Sequence, residues 1–131
     1  MTRGFSERRE AALVRLSVDA APQRLRENLA KVNEALGDVE LPTKRRVRLI
    51  VSEIVGHSTE GDEIGIEIVV MSETIRIELA GRGLALPDHP SLHHSEASPS
   101  FPLWVLNELA DHWDADRRQG ERGIWLLVGR V

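Results

Sequence analysis

The sequence predicts an α+β fold, a two-layer sandwich in which about three helices cover one face of a mostly antiparallel sheet. Two early segments repeat apolar residues at helical spacing, whereas the runs that flank them alternate apolar and polar residues or are rich in Ile and Val. Short links join several of these runs, which favours hairpins. The 131 residues suit one domain, which we place at 1–131 with a charged lead at 1–11.

The first half of the chain predicts a strand followed by two helices. The segment "AALVRLSVDA" alternates in the manner of a strand with one buried face, and Asp19 then offers a helix N-cap. The first helix is predicted to stop at Gly37, and Pro42 and Thr43 open the second. The two apolar stripes comprise Leu25, Leu29, Val32 and Leu36, then Val47, Ile50, Val51, Ile54 and Val55.

The second half predicts a hairpin, a long loop, a third helix and two final strands. "EIGIEIVVMS" and "TIRIELA" are β-rich and closely spaced, so they form the hairpin. The Gly, Pro, Ser and His content of 81–100 interrupts all periodicity, which is typical of a lid-like loop. "FPLWVLNELADHW" predicts the third helix, and Gln119-Gly120 a turn before the last strand.

Composition excludes several classes of function. The chain contains no cysteine, which rules out disulfides, thiolate metal sites and cysteine nucleophiles. The net charge of -4 argues against nucleic acid, and the basic residues at 44–48 form either a solvated helix face or a binding patch. The chain has neither a signal-peptide pattern nor a run of about 20 apolar residues, so we expect a cytoplasmic protein that does not insert into membranes.

A Ser-Glu-x-Val box ending the second helix, a glycine-containing turn after a hairpin strand and "LADHW…GIW" near the end carry a family resemblance. Together with the order of elements, they resemble the small histidine-kinase-like ATPases. Among these the bacterial anti-sigma regulatory factors, which are serine-protein kinases, are the nearest. The resemblance covers about Ala12 to Val131 and implies the same two-layer fold.

The resemblance assigns Glu53 and His57 to the magnesium and base positions of that family. Its members use the glutamate to activate or orient the attacking group, and an asparagine four residues later binds Mg²⁺ through its amide oxygen. Here Glu53 is in place, but the asparagine position is His57. Imidazole nitrogen is a poor ligand for Mg²⁺. The simpler alternatives are that Glu53 is a helix-surface carboxylate near Arg or Lys, and that His57 interacts with helix-end carbonyls.

The adenine and phosphate positions of the family also differ here. The D-x-G-x-G turn becomes "AGRGLAL", with Gly81 in place of the aspartate that accepts the adenine amine, Gly83 retained, and Ala85 in place of the last glycine. The glycine pair that binds phosphates falls on Ser100 and Pro102, and proline has no N–H to donate.

These departures predict a regulatory protein-binding module whose nucleotide residues Glu53, His57, Gly81 and Gly83 are vestigial, with no cofactor expected and with ATP binding and kinase activity lost or weakened. Its expected partners, implied by the resemblance, are a sigma factor, an anti-sigma antagonist or a second copy of the chain. The alternative is an active ATP- and Mg-dependent serine-protein kinase with unusual ligands, in which Glu53 is the base.

Two further groups of residues are candidates for other roles. His89, His93 and His94 could bind a transition metal, although adjacent histidines in a loop lack the helical spacing of a metal motif, and the loop is equally consistent with a polar, pH-responsive lid. Trp113 and Trp125 are expected to be core or half-buried anchors, as is usual for large aromatics. Trp104 is the candidate aromatic anchor for a partner.

Overall fold

One face of an antiparallel sheet is covered by helices in the computed structural model, which describes residues 12–87, 100–118 and 121–130. Within these residues the architecture is α+β and mostly antiparallel, so the predicted fold class is confirmed. The elements in chain order are β1 (Ala12–Asp19), α1 (Leu25–Leu36), α2 (Leu41–His57), β2 (Glu63–Val70), β3 (Thr74–Gly81), β4 (Leu86–Pro87), β5 (Ser100–Phe101), α3 (Trp104–Leu109), β6 (His112–Arg118) and β7 (Glu121–Gly129).

The main sheet has the strand order β1-β2-β3-β7-β6, and every neighbouring pair is antiparallel. Its register aligns side chains in rows across the strands. Ile68 lies opposite Ile77, which lies opposite Leu126, so the three side chains share one face and all are fully buried. This row forms the centre of the core beneath the helices.

The helices bury the stripes that the sequence predicts. All five apolar stripe residues of α2 are buried, whereas α1 buries Val32 and Leu36 and leaves Leu25 and Leu29 half-buried. Gly37 ends α1 with a φ of 62°, a conformation that glycine adopts without strain. The second helix therefore provides most of the helical contribution to the core.

Two predicted helix ends differ in the structure. Asp19 is not a helix N-cap; its Oδ1 accepts a hydrogen bond from the Ala21 N–H at 3.0 Å, and a 3-10 turn, Pro22–Arg24, precedes α1. The third helix ends at Leu109, and residues 112–118 form β6 instead. The chain leaves the helix at Ala110 because the Asp111 N–H bonds to the Leu127 carbonyl oxygen of β7.

The predicted lid-like loop 81–100 is packed over its first part. Leu84, Ala85 and Leu86 are buried, and β4 pairs in parallel with β5. These residues belong to the core, so the prediction of a lid is wrong for 81–87. The candidate metal ligands His89, His93 and His94 lie outside the described residues. In the part of the chain described, the helices are too short or too polar to cross a membrane.

Candidate functional site

The C-terminal end of α2 lies against the turn that follows β3, so the predicted nucleotide residues fall in one region. The Thr59 N–H donates to the Gly83 carbonyl oxygen at 2.8 Å. The hydroxyl of Ser58 is buried; it donates to the Ile54 carbonyl oxygen at 2.6 Å and accepts from the Ala85 N–H at 2.8 Å. The Gly83 carbonyl oxygen and the Ala85 N–H of the turn are therefore engaged within the protein.

Glu53 and His57 form a pair on the surface of the last turns of α2. His57 Nε2 lies 3.5 Å from Glu53 Oε1, and the two side chains are 45% and 35% exposed. The expected Arg or Lys neighbour of Glu53 is absent from the described ion pairs, and His57 takes its place. No group of three or more His, Cys, Asp or Glu residues suited to a metal ion occurs in the described part of the chain.

Neither glycine of the turn has room for a side chain. A Cβ atom added at Gly81 would lie 2.8 Å from the Glu63 carbonyl oxygen, a backbone atom that cannot move independently of β2. At Gly83 a Cβ would lie 2.7 Å from Thr59 Cβ and overlap the Asp62 carboxylate. Close packing of the backbone therefore explains both glycines without a ligand.

Arg122 is a buried side chain of this region that the sequence analysis did not identify. It lies opposite Gly81 in the β3–β7 register and is only 7% exposed. Its Nη1 donates to the Leu84 carbonyl oxygen at 2.9 Å. The available signal was its position, because Arg122 has the same alternation as the buried residues Ile124 and Leu126.

The tryptophans and Pro102 occupy differing environments. Trp104 is 57% exposed at the start of α3, and its role as an aromatic anchor for a partner stays a prediction. Trp113 is half-buried as expected, and Trp125 is 37% exposed on the uncovered face, where the Arg76 guanidinium lies 6.0 Å from its ring centre. Pro102 is exposed between β5 and α3.

Comparison with known proteins relates the chain to one fold. It matches no family model and no curated protein. Among solved structures it is similar to the crystal structure of the RsbU and RsbW domains of Rv1364c from Mycobacterium tuberculosis, with a TM-score of 0.60 and 15% identity. The match covers 91% of this chain but 32% of that one, so the chain spans about a third of its length. At this identity the similarity shows the fold alone.

Proposed function

We propose that this chain is a regulatory protein-binding module resembling an anti-sigma factor, in which ATP binding and kinase activity are lost or strongly weakened. The similarity in fold to a structure that contains an RsbW domain is consistent with this role. The partner is a sigma factor or an anti-sigma antagonist, and a second copy of the chain can serve as a further partner. The function then depends on surfaces and not on a reactive side chain.

The packing at Gly81 is the observation on which this proposal rests. In the family that the chain resembles, an aspartate at this position accepts the adenine amine. Here the Glu63 backbone fills the space of any side chain, and the inward-facing side chain opposite Gly81 is the buried Arg122, which is itself a donor. A buried adenine amine without an acceptor would cost about 1–3 kcal/mol.

The metal position also argues against nucleotide chemistry. Mg²⁺ requires oxygen ligands in octahedral geometry, and His57 offers an imidazole in place of an amide oxygen. That imidazole already lies beside the Glu53 carboxylate. Glu53 could act as a general base only where a metal-bridged triphosphate is held next to it, and the local donor set does not provide for that metal.

Titration calorimetry with Mg-ATP tests the proposal. We expect no binding heat at nucleotide concentrations around 1 mM, a level corresponding to at most about 4 kcal/mol of affinity. Micromolar binding that requires Mg²⁺ would overturn the proposal and favour the active serine-protein kinase with Glu53 as base.

The binding function needs a separate measurement. Proteins that co-purify with the tagged chain from its native cell are identified and expressed, and each is titrated against the purified chain in the absence of nucleotide. We expect a sigma factor or an antagonist to bind directly. If purified sigma factors and antagonists do not bind, the proposed function is wrong even when ATP binding is absent.

A further inference from the structure

A surface groove runs between α1 and α2, away from the turn at Gly81. Its volume is about 470 Å³, and its apolar lining comes from Leu25, Leu29 and Ala30 of α1. Arg26 of α1 and Arg48 of α2 border it. Leu25 and Leu29 are only half-buried, so the groove offers apolar surface to a partner.

The arginines at and beside this groove differ from four arginines elsewhere in the described part of the chain. Arg26, Arg45 and Arg48 are exposed and have no ion pair with any described residue, and Arg45 lies one helical turn before Arg48. Four arginines elsewhere are compensated by carboxylates, in the pairs Arg15–Glu67, Arg24–Glu27, Arg76–Glu78 and Arg130–Glu40. In a chain with a net charge of -4, this uncompensated positive charge is concentrated on one helical surface.

We propose that the groove between α1 and α2 binds an acidic amphipathic helix of a partner protein. The apolar lining suits the anchors of a helix at i, i+3, i+4 and i+7, and the arginines can form bidentate hydrogen bonds with its carboxylates. Nucleic acid fits less well, because the overall charge is negative and the groove has a leucine-rich lining. The proposal rests on the proposed function, in that it assumes a protein partner.

A designed helix probes the groove directly. The probe is a lactam-bridged, fluorescent peptide of about 18 residues, with leucines along one face and glutamates on both flanks. Its counterpart replaces every glutamate with glutamine. Fluorescence anisotropy should show that the acidic peptide binds at least about tenfold more tightly, and that added salt removes most of the difference.

Variants locate the binding surface. We expect Arg48→Glu to weaken binding of the acidic peptide about tenfold or more, and Ala30→Gln to weaken it by obstructing the apolar lining. Arg82→Glu is the matched control; it makes the same change of charge at an exposed arginine that also has no described ion pair, in the turn after β3. Its effect should be below about twofold. Circular dichroism verifies that each variant is folded.

Equal binding of the two peptides, equal losses in Arg48→Glu and Arg82→Glu, or tighter binding of duplex DNA than of the acidic peptide would each overturn the proposal. The full-length partner separates it from the proposed function. A sigma factor or antagonist that binds Arg48→Glu as tightly as the unchanged chain refutes the groove and leaves the function intact. Selective peptide binding without any such partner supports the groove and refutes the function.

Discussion

The end of α2 is closely packed, whereas the middle of the same helix borders an open surface groove. At the end, Ser58 and the turn through Gly83 are closed by hydrogen bonds and by contacts that leave no room for a side chain. Near the middle, Arg48 borders an open groove and has no described ion pair. The difference indicates that the turn through Gly81 and Gly83 is part of the closely packed interior, whereas the adjoining helical surface has features that a binding partner could use.

The largest loss of stability is expected at Gly81, where an added side chain would disrupt the close packing. Gly81→Asp should destabilise the fold by about 3 kcal/mol or more, because it adds both an overpacked Cβ and a buried carboxylate. Urea unfolding followed by circular dichroism gives the free energy of unfolding. Introducing the aspartate of the family that the chain resembles should therefore not confer ATP binding.

Gly56→Asp is the matched control for that substitution. A Cβ at Gly56 would meet nothing within 4 Å, and the position is exposed on α2. Its effect should be within about 1 kcal/mol. If Gly81→Asp is as stable as Gly56→Asp and binds Mg-ATP, the region is an open nucleotide site and is not closely packed at Gly81.

A smaller loss of stability is expected at Ser58, whose hydroxyl connects α2 to the turn after β3 through a hydrogen bond. Ser58→Ala leaves the buried Ala85 N–H without its acceptor, which should cost about 1–2 kcal/mol in the free energy of unfolding. Ser52→Ala, at a half-buried position of the same helix with no described side-chain hydrogen bond, is the control and should change stability by less than about 0.5 kcal/mol. Equal effects of the two would show that the hydrogen bond does not hold the turn.

The smallest change in stability is expected at Glu40, an exposed residue outside both the turn after β3 and the groove between α1 and α2. A hydrogen bond from Arg130 holds the pKa of the Glu40 carboxyl below its ordinary value of 4.5. The folded pKa is the lower one, so this contribution to stability is complete above pH 4.5 and is lost as the pH falls through the folded pKa.

The melting temperature of Glu40→Gln should accordingly lie slightly below that of the unchanged chain at neutral pH, and the gap should close in acid. Glu34→Gln removes an exposed carboxylate that has no described ion pair. The difference in melting temperature between Glu34→Gln and the unchanged chain should therefore not close in acid. If the difference in melting temperature between Glu40→Gln and the unchanged chain is the same at neutral and acidic pH, the ion pair is not its cause.

Periodicity was sufficient to predict the helices and the central strands, because their burial is dominated by apolar residues on one face. It failed for the third helix, where Leu109 and Ala110 continue the helical spacing although the Asp111 N–H bonds to β7. It indicated two strands after this helix but not where the first of them begins, since β6 alternates aspartates with other residues and has no run of Ile or Val to mark it.

The sequence indicated where the candidate site lies but not how its residues are packed. Glu53 and His57 lie one helical turn apart and form a pair, and the end of α2 lies next to Gly83. The obstruction at Gly81 depends on the Glu63 carbonyl oxygen, a backbone atom from another strand, so no local pattern could reveal it. Burial of Arg122 likewise depends on its partner at Leu84.

Among the described residues, β1 and β6 are the outermost strands of the main sheet, and the backbone hydrogen-bonding groups on their outer sides have no strand partner there. Such groups can pair with another chain and start aggregation. On β6, Asp114 and Asp116 are exposed on this margin, and a second copy aligned antiparallel would bring carboxylates close together. The same aspartates that obscure where β6 begins in the sequence should thus help to keep the protein dispersed at high concentration.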